Sequence, residues 1–498
     1  MKRSAQVLLL AALLGTVAQA QFPSQIQHVI IVFQENRTPD NLFQGLRGLK
    51  GSNGVKYDIQ NYWVESTGTH KLLAPVGLAT NFDLSHAHSA FVSESTAPST
   101  ALVPGCSGTA EAEIFGCAAS TWNQFMYVDN AQELTSTNLY GKKIVTHILD
   151  PYINMAQRWG WANYMYQTNQ GPSYPAHQFI FGGTSAPSAQ DDSQGTFVSE
   201  NFSPQSAFAG CLADTTAMNF LIDSSGTETP YGGVLGDFCY NRNTMATLLD
   251  NNQPTPVTWR YYAPAAGSIW TAPNSITAIC QPNSGFTACD GSEWATNVIF
   301  PFTASYGAVP FLNDLQNCQL PAVSWVIPDG RWSDHANANK GLGPSYVAGI
   351  VNAVGGFNNS CGYWANTAIV LTWDDWGGWY DHAAPWTLAP PYNNYNYGFR
   401  VPLIVISAYT KPGLVSTVQP EDFGSVLNML QGIFFGPTHE RQLGFADARS
   451  SNDLREYFTE TTQQPYGATI PAVEDINYFL NLPAPQNIQN QAVAPDND

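Results

Sequence analysis

HVIIVFQENR, the stretch from His28 to Arg37, is the strongest indication of architecture in the sequence, because an apolar run there passes directly into charged and amide side chains. Its apolar part, His28–Phe33, is rich in β-branched residues and does not alternate with polar ones. This pattern is typical of a strand covered on both faces. Similar runs predict strands at Ala322–Ile327 (AVSWVI), Thr367–Thr372 (TAIVLT) and Val401–Ser407 (VPLIVIS), with another at Val257–Tyr262.

Helical stretches lie between these strands, as at Ser345–Val354 and Asp422–Phe435. Alternation of buried strands with helices is typical of α/β proteins, in which helices cover a mostly parallel sheet. The sequence therefore predicts a three-layer α/β sandwich with a mostly parallel central sheet. We expect a single domain over residues 21–482, with insertions near residues 106–135 and 186–289, and a flexible tail over residues 483–498.

The first residues have the pattern of a secretory signal peptide. Lys2 and Arg3 precede an apolar run, and Ala18-Gln19-Ala20 fits a small-x-small cleavage site. The run is shorter than a membrane-spanning helix requires, and no later segment approaches the roughly 18 unbroken apolar residues of such a helix. We therefore expect a signal peptide over residues 1–20, a secreted or periplasmic protein, and no transmembrane segment.

Eight cysteines fit an exported protein, since an even number in an oxidising compartment favours disulfide bonds. No pair has the C-x-x-C spacing of many zinc and redox sites. Bonds between sequence neighbours would each hold a loop-rich segment. The predicted pairs are Cys106–Cys117, Cys211–Cys239, Cys280–Cys289 and Cys318–Cys361.

The charge balance excludes several classes of partner. The 498 residues include 38 Asp or Glu and 19 Lys or Arg, which gives a formal charge of −19. Binding to nucleic acid requires a basic surface that this composition does not supply, and an anionic membrane is disfavoured for the same reason. A high aromatic content of 13% excludes a disordered chain.

Acidic and amide side chains follow three of the four clearest strands. Glu35 and Asn36 come after the first, and Asp374 and Asp375 after TAIVLTW. Ligands of open α/β sheets bind at the carboxyl ends of the strands, so these residues should converge. Adjacent carboxylates are costly unless a cation compensates them, which favours a divalent metal with oxygen ligands. The alternative is that acidic residues simply open the loops after strands.

GPSYPAH, from Gly171 to His177, contains a candidate nucleophile. Ser173 would begin a helix, where backbone N–H groups favour a nearby anion, and a metal could activate its hydroxyl for attack on phosphorus. The alternative is an ordinary helix N-cap. The same four letters recur at Gly343–Tyr346, where an N-cap at Ser345 is the preferred interpretation, and spacing alone does not distinguish the two serines.

Histidines form a third group of candidates. His86 and His88 follow Asp83 in DLSHAH, and two Asp-His pairs occur at Asp334-His335 and Asp381-His382. Such histidines can be metal ligands, or cations that bind phosphate and protonate a leaving group, or structural residues. Arg37 is similarly open between a phosphate contact and an ion pair.

These motifs together resemble those of the bacterial phosphoesterase family of phosphatidylcholine-type phospholipases C and AcpA-like acid phosphatases, within the alkaline phosphatase superfamily. The resemblance runs from His28 to Phe458. It is carried by HVIIVFQENRTPDNLF, DLSHAHSAF, GPSYPAHQF, SDHANANKGLGPSYVAGIVNAV and LTWDDWGGWYDH. The resemblance implies an alkaline-phosphatase-like fold and a secreted hydrolase of phosphate esters, including phospholipids, that works through a phosphoserine intermediate.

The resemblance also implies roles for individual residues. It makes Ser173 the nucleophile, places His335 near the phosphate, where we expect it to act as the catalytic acid, and implies one divalent metal ion. The implied metal ligands are Glu35, Asn36, Asp374 and Asp375, and the expected substrate contacts are His86, His88, His177, Arg37 and Asp334. This chain has His177 where many relatives carry Asn and Arg.

Two questions remain open from sequence. Oxygen ligands suit Ca²⁺, Mg²⁺ or Mn²⁺, whereas a histidine ligand would allow Zn²⁺ or Fe. The other open question is whether the chain is catalytic at all, because 14 Trp and 23 Tyr also suit a secreted binding protein, for example for carbohydrate, on a degenerate phosphoesterase scaffold. A sulfatase is excluded by the missing Cys-x-Pro-x-Arg motif.

Overall fold

A central eight-stranded sheet organises the protein, which is described by a computed structural model. The structure describes residues 21–482 except 65–66, 81, 97–123, 131–132, 138–142, 203–207, 253, 302–306, 308, 357–359, 388–394 and 437–442. The expected signal peptide and tail lie outside these residues, and most of the expected insertion at 106–135 does too.

The strands of the described residues alternate with helices along the chain. In chain order the strands are β1 (His28–Gln34), β2 (Tyr62–Val64), β3 (His70–Leu72), β4 (Ala74–Val76), β5 (Met126–Val128), β6 (Glu133–Thr137), β7 (Lys143–His147), β8 (Gly160–Ala162), β9 (Phe197–Val198), β10 (Met218–Ile222), β11 (Glu228–Gly232), β12 (Trp259–Tyr262), β13 (Val298–Ile299), β14 (Val323–Val326), β15 (Thr367–Trp373), β16 (Leu403–Ser407) and β17 (Val415–Ser416).

The α-helices vary from single turns to three turns. They are α1 (Pro39–Leu42), α2 (His88–Thr96), α3 (Asp150–Arg158), α4 (Ser173–Gly182), α5 (Ala189–Gln194), α6 (Met245–Asp250), α7 (Thr277–Cys280), α8 (Ser292–Asn297), α9 (Pro310–Gln316), α10 (Gly343–Val354), α11 (Phe423–Phe434), α12 (Phe445–Arg449) and α13 (Ile476–Leu480). None of the helices among the described residues combines the length and the apolar character needed to cross a bilayer.

The central sheet is mostly parallel, as the sequence predicts. Its strand order is β13-β12-β14-β1-β15-β16-β8-β17. Only β16 runs against its neighbours, since it pairs antiparallel with both β15 and β8, whereas the other pairings are parallel. The predicted strands are all present in this sheet, with ends shifted by one or two residues.

Helices cover both faces of the sheet, which gives the expected three layers. Phe33 of β1 packs edge-to-face on Phe423 of α11, with ring centroids 5.2 Å apart. Trp373 of β15 pairs in register with Gln34, one position further along, so it points to the opposite face. There it packs on Tyr152 of α3 at 5.2 Å. The apolar strand residues are fully buried because both faces are covered.

Three of the predicted disulfide bonds are confirmed. The structure pairs Cys211 with Cys239, Cys280 with Cys289, and Cys318 with Cys361. The predicted Cys106–Cys117 pair lies outside the described residues. Two of the three bonds fall in the interval 186–289, which also holds the small antiparallel sheet of β9, β10 and β11. The strand β12 in the same interval belongs to the central sheet.

The preferred interpretation of Ser345 as an N-cap is wrong. Helix α10 begins at Gly343, so Ser345 lies inside its first turn, and the N-cap is Leu342. The Ser345 hydroxyl instead accepts a hydrogen bond from the backbone N–H of Glu474 at 3.2 Å. Pro344 at the start of the helix explains the shift, because proline is well suited to a first helical turn.

Candidate active site

The register of two central strands brings distant acidic residues together. Gln34 at the end of β1 pairs with Trp373 at the end of β15, so the residues that follow both strands emerge side by side. The backbone N–H of Asn36 donates to Oδ1 of Asp374 at 2.9 Å, across 338 positions of sequence. Glu35, Asn36, Asp374 and Asp375 are all fully buried here.

Close backbone contact fixes the two loops against each other. Asn36 has a φ of 56°, and Gly377 in the facing loop has a φ of 62°. A Cβ atom on Gly377 would lie 2.5 Å from the carbonyl oxygen of Asn36, so this position leaves no room for a side chain. The N–H of Gly377 donates to Oδ1 of Asp375 at 2.7 Å, which orients that carboxylate.

Ser173 lies at the N-terminus of helix α4 and faces the acidic residues. The N-cap of this helix is Pro172, and no side chain caps the helix, so Ser173 does not act as an ordinary cap. Its Oγ donates toward Oε2 of Glu35 at 3.2 Å and toward Oδ2 of Asp375 at 3.4 Å. The structure thus distinguishes Ser173 from Ser345, which sequence spacing could not do.

His177 lies one turn after Ser173 on the same face of α4. Its Nε2 is 3.0 Å from Oε1 of Glu35, and its Nδ1 is 3.3 Å from the hydroxyl of Tyr261. Burial lowers the pKa of His177 to about 4, although the charge of Asp374 acts in the opposite direction. The imidazole is therefore neutral at pH 7 although it lies next to the carboxylates.

These side chains fit a divalent cation. Glu35, His177 and Asp374 each offer a ligand atom within 4.8 Å of the others. Among the described residues, Oδ1 of Asn36 and Oδ2 of Asp374 are buried without a hydrogen-bond partner. Buried oxygen atoms of this kind are costly unless something binds them, and carboxylate and amide oxygens are ligands that divalent cations accept.

His86 orients the amide of Asn36. Its Nδ1 lies 2.7 Å from the carbonyl oxygen of Leu84, so Nδ1 carries the proton. Its Nε2 then accepts from Nδ2 of Asn36 at 2.9 Å. Because the amide nitrogen faces His86, the amide oxygen Oδ1 is left available for a cation. The contact of His86 is thus with a candidate ligand, and its expected contact with substrate stays a prediction.

His335 lies next to this group and is paired with Asp83. Its ring centroid is 6.0 Å from that of His86, and its Nδ1 is 3.6 Å from Oδ2 of Asp83. Nδ1 also lies 2.5 Å from the carbonyl oxygen of Ala336, which holds the ring orientation. Within the described part of the chain, the buried Nε2 has no hydrogen-bond partner, so it is available to a ligand.

The structure does not join His88, Arg37 and Asp334 to the acidic group. His88 pairs with Glu228 at 2.8 Å. Arg37 donates to the carbonyl oxygens of Asp334 and Leu78, and burial lowers its pKa to about 10. A substrate-binding role for these three residues stays a prediction, and their observed contacts are with the protein itself.

Asp334 is part of the packing beneath the His335 segment. Its Oδ2 accepts from the hydroxyl of Tyr152 at 2.8 Å and from the indole N–H of Trp373 at 3.1 Å. Burial raises its pKa to about 6. Because Trp373 directly precedes the Asp374-Asp375 pair, Asp334 ties the His335 segment to the end of β15.

Two contributors to the site went unassigned in the sequence. Asp83 begins the DLSHAH motif, and its position shortly before two histidines could have indicated that it belongs to the site. Tyr261 lies in the middle of β12, where it looks like any buried aromatic residue. Its hydroxyl reaches His177 only because β12 lies in the central sheet, on the far side of β14 from β1.

A second charged cluster surrounds the Asp381-His382 pair. Nδ1 of His382 is 2.7 Å from Asp40, and its Nε2 is 3.4 Å from Asp58. Arg400 donates to both oxygens of Asp381 and contacts Asp58 and Asp40. Two cations thus face three carboxylates, so this cluster is a buried ion-pair network that anchors the loop after β15.

We expect this network to make the free energy of unfolding decrease as the pH rises toward 10. Burial opposes the charge of His382, but Asp40 and Asp58 overcome it and raise its pKa to about 10. Because folding raises the pKa of His382, its charge stabilises the fold fully at pH values below the pKa in the unfolded chain, near 6.5. This stabilisation is lost as the pH rises through the folded-state pKa of about 10. His382→Gln should therefore lower the free energy of unfolding most at pH 6.5 and progressively less toward pH 10. Urea unfolding across this range measures the difference.

His28→Gln is the control for this prediction. Burial lowers the pKa of His28, so well above pH 6.5 it is neutral in both the folded and the unfolded state, and its replacement should there have an effect independent of pH. A constant difference between wild type and His382→Gln from pH 6.5 to 10 would contradict the prediction.

The chain is similar to known proteins of one family. The sequence model of the Phosphoesterase family matches residues 26–435. A hemolytic phospholipase C of Pseudomonas aeruginosa is 22% identical over 444 residues, which is 82% of this chain and 53% of that protein. Phospholipase C A of Mycobacterium tuberculosis is 29% identical over 160 residues, 27% of this chain and 30% of that protein.

Two further matches are to another phospholipase C and to a solved structure. A non-hemolytic phospholipase C of Burkholderia pseudomallei is 29% identical over 144 residues, 24% of this chain and 20% of that protein. The matches to these three relatives thus span from a fifth to about half of their length. Among solved structures, a protein in the alkaline phosphatase superfamily from Vibrio parahaemolyticus aligns with 61% of this chain and 65% of its own, at 12% identity and a TM-score of 0.31.

Proposed function

This chain belongs to the Phosphoesterase family, and from that membership we propose that it is a secreted, metal-dependent hydrolase of phosphate esters with Ser173 as its nucleophile. One observation carries the proposal. The hydroxyl of Ser173 lies within hydrogen-bonding distance of Glu35 and Asp375, which come from the ends of two different strands. A buried serine placed between two carboxylates at a helix N-terminus is suited to nucleophilic attack on an anionic ester.

Four residues would hold the metal ion, namely Glu35, Asn36, Asp374 and Asp375. When bound, a divalent ion lowers the pKa of a neighbouring hydroxyl and neutralises charge on a phosphoryl oxygen. Oδ1 of Asn36 and Oδ2 of Asp374, which have no hydrogen-bond partner in the described part of the chain, support this assignment. His86 would act as a positioning residue, because its hydrogen bond to Nδ2 of Asn36 leaves the amide oxygen of Asn36 for the ion.

Ser173 would attack phosphorus in line with the leaving alcohol. Its Oγ forms the new bond to phosphorus while the bond from phosphorus to the alcohol oxygen breaks, which gives a phosphoserine. The hydroxyl proton passes to the neighbouring carboxylates of Glu35 or Asp375. The positive N-terminal end of the α4 dipole would lie toward the transferred phosphoryl group and stabilise its charge.

His335 would protonate the leaving alcohol through Nε2. This atom is buried without a partner among the described residues, and Asp83 beside Nδ1 would stabilise the protonated ring. A water molecule on the opposite side of phosphorus would then hydrolyse the phosphoserine and restore Ser173. The products are an alcohol and either phosphate or a phosphate monoester.

The substrate class would follow the relatives. Three of them are named phospholipases C, and this chain matches only part of their length, so a phospholipid substrate is a proposal beside the acid phosphatase alternative. Export through the expected signal peptide would place the enzyme where phospholipids and external phosphate esters are found.

Two chromogenic substrates compared side by side test the proposed function. We expect the purified chain to release p-nitrophenol from p-nitrophenyl phosphate, from p-nitrophenyl phosphorylcholine, or from both, because each carries a phosphate ester with a good leaving group. A chelator should stop the release and a divalent metal should restore it. Preference for the phosphorylcholine ester would indicate the phospholipase C type, and preference for the monoester the acid phosphatase type. No metal-dependent release from either substrate would contradict the proposal and favour a binding protein.

A further inference from the structure

His177 makes a contact that the proposed catalytic steps do not use. Its side chain is fully buried, and Nε2 lies 3.0 Å from Oε1 of Glu35, inside the group that also includes Asp374. A nitrogen and a carboxylate oxygen at this separation share either a proton or a cation, since two facing lone pairs repel each other. The hydrogen bond of the other ring nitrogen, Nδ1, indicates whether a proton or a cation lies between Nε2 and Glu35.

The hydroxyl of Tyr261 sets the tautomer of His177. Tyr261 donates its one proton to the carbonyl oxygen of Trp270 at 2.7 Å. It therefore accepts a hydrogen bond from Nδ1 of His177, at 3.3 Å. An imidazole that carries its proton at Nδ1 can offer the lone pair of Nε2, which is how histidine binds metals in proteins. This lone pair points toward Glu35.

Aromatic packing holds the ring in this orientation. Phe33 of β1 packs edge-to-face on the imidazole at 4.9 Å, and Trp270 stacks on it at 6.4 Å. The ring is thus fixed by neighbours on two sides and by the hydrogen bond to Tyr261. A ligand held in place before binding loses little conformational freedom when the ion arrives.

We propose that Nε2 of His177 is a direct ligand of the metal ion and makes the site select Zn²⁺ over Ca²⁺ and Mg²⁺. This inference rests on the proposed function in one respect, namely that Glu35 and Asp374 hold a divalent ion. Ca²⁺ and Mg²⁺ take oxygen ligands, whereas imidazole is a favoured ligand of Zn²⁺ and other first-row transition metals. One nitrogen among the oxygens therefore changes which ion is preferred.

Direct metal binding to the full chain tests the inference without relying on activity. Wild type and His177→Gln are stripped with a chelator, and the affinities for Zn²⁺ and Ca²⁺ are measured by calorimetry with a competing chelator. Gln keeps the approximate volume and offers an oxygen where Nε2 was. We expect the Zn²⁺ affinity of His177→Gln to fall at least about 10-fold while its Ca²⁺ affinity changes less than about 3-fold.

Co²⁺ gives a second, spectroscopic measurement. Its visible absorption bands depend on the ligand atoms, so His177→Gln should shift them relative to wild type if a nitrogen ligand is lost. Tyr261→Phe removes only the partner of Nδ1 and should weaken Zn²⁺ binding to an intermediate extent. Circular dichroism of the metal-free proteins checks folding, and His177→Asn replaces His177→Gln should the latter fail to fold.

Three outcomes would overturn the inference. These are wild-type preference for Ca²⁺ over Zn²⁺, equal Zn²⁺ affinity of wild type and His177→Gln, and unchanged Co²⁺ spectra. Asp375→Asn separates this failure from that of the proposed function. If Asp375→Asn loses metal but His177→Gln does not, only the His177 assignment fails. If both variants bind metal as wild type does, the metal site of the proposed function fails with it.

Discussion

Replacing Ser173 with alanine should lower kcat for phosphate-ester hydrolysis at least about 1,000-fold, because the proposed reaction has no other nucleophile. The hydroxyl contacts Glu35 and Asp375 but does not cap α4, so its removal should leave the helix intact. Metal content, measured by elemental analysis, and the thermal unfolding temperature should stay close to those of wild type. Initial rates under saturating substrate measure the loss.

Ser345 provides a matched control for this experiment. It stands in the same four-residue sequence and is almost as deeply buried, but its hydroxyl contacts the backbone of Glu474. Ser345→Ala should therefore keep nearly the full rate and cost at most about 1–3 kcal/mol of stability. A Ser173→Ala protein that retains a large share of the wild-type rate would refute the nucleophile assignment.

Replacing Asp375 with asparagine should remove both the metal and the activity. The change preserves the size of the side chain and removes one negative charge from the acidic group. We expect metal affinity to fall by about 100-fold or more, since even residues behind the ligands commonly contribute 10- to 100-fold. Elemental analysis after dialysis measures the metal, and the same chromogenic assay measures the rate.

Asp329→Asn is the control for charge at the same edge of the sheet. Asp329 follows β14, next to β1, but its carboxylate pairs with Arg331 at 2.7 Å. Its replacement should leave the metal content unchanged. Wild-type metal content in Asp375→Asn would refute the ligand assignment, and equal metal loss in Asp329→Asn would show that the effect is one of general charge.

The sequence could predict the central sheet and the convergence of the residues that follow its strands, because both depend on local patterns of side chains. β-branched runs that lack polar alternation indicate strands buried on both faces, and parallel strands place their carboxyl ends at one edge. From this reasoning the sequence predicts that Glu35 and Asp374 lie close together, as the structure shows. The run Val401–Ser407, which is not followed by acidic residues, forms β16, the strand that runs against the others.

What sequence could not supply were contacts set by three-dimensional packing. The contacts of Ser173 and Ser345 differ because the two helices begin at different points of the same four-residue sequence, which that local sequence does not show. The contact of Tyr261 with His177 depends on the position of β12 two strands away from β1. Local pattern carries no information on such separations, so these contacts are found only in the structure.

The pairing of β1 with both β14 and β15 has a consequence for biosynthesis. An emerging chain exposes the apolar residues Val29–Phe33 early, but both hydrogen-bonding neighbours of this strand are made about 300 residues later. At ribosomal speeds of roughly 5–20 residues per second, the delay is on the order of 15–60 s. During that interval the nascent strand would need a chaperone, and any product truncated before Asp374 would lack two of the four proposed metal ligands, Asp374 and Asp375.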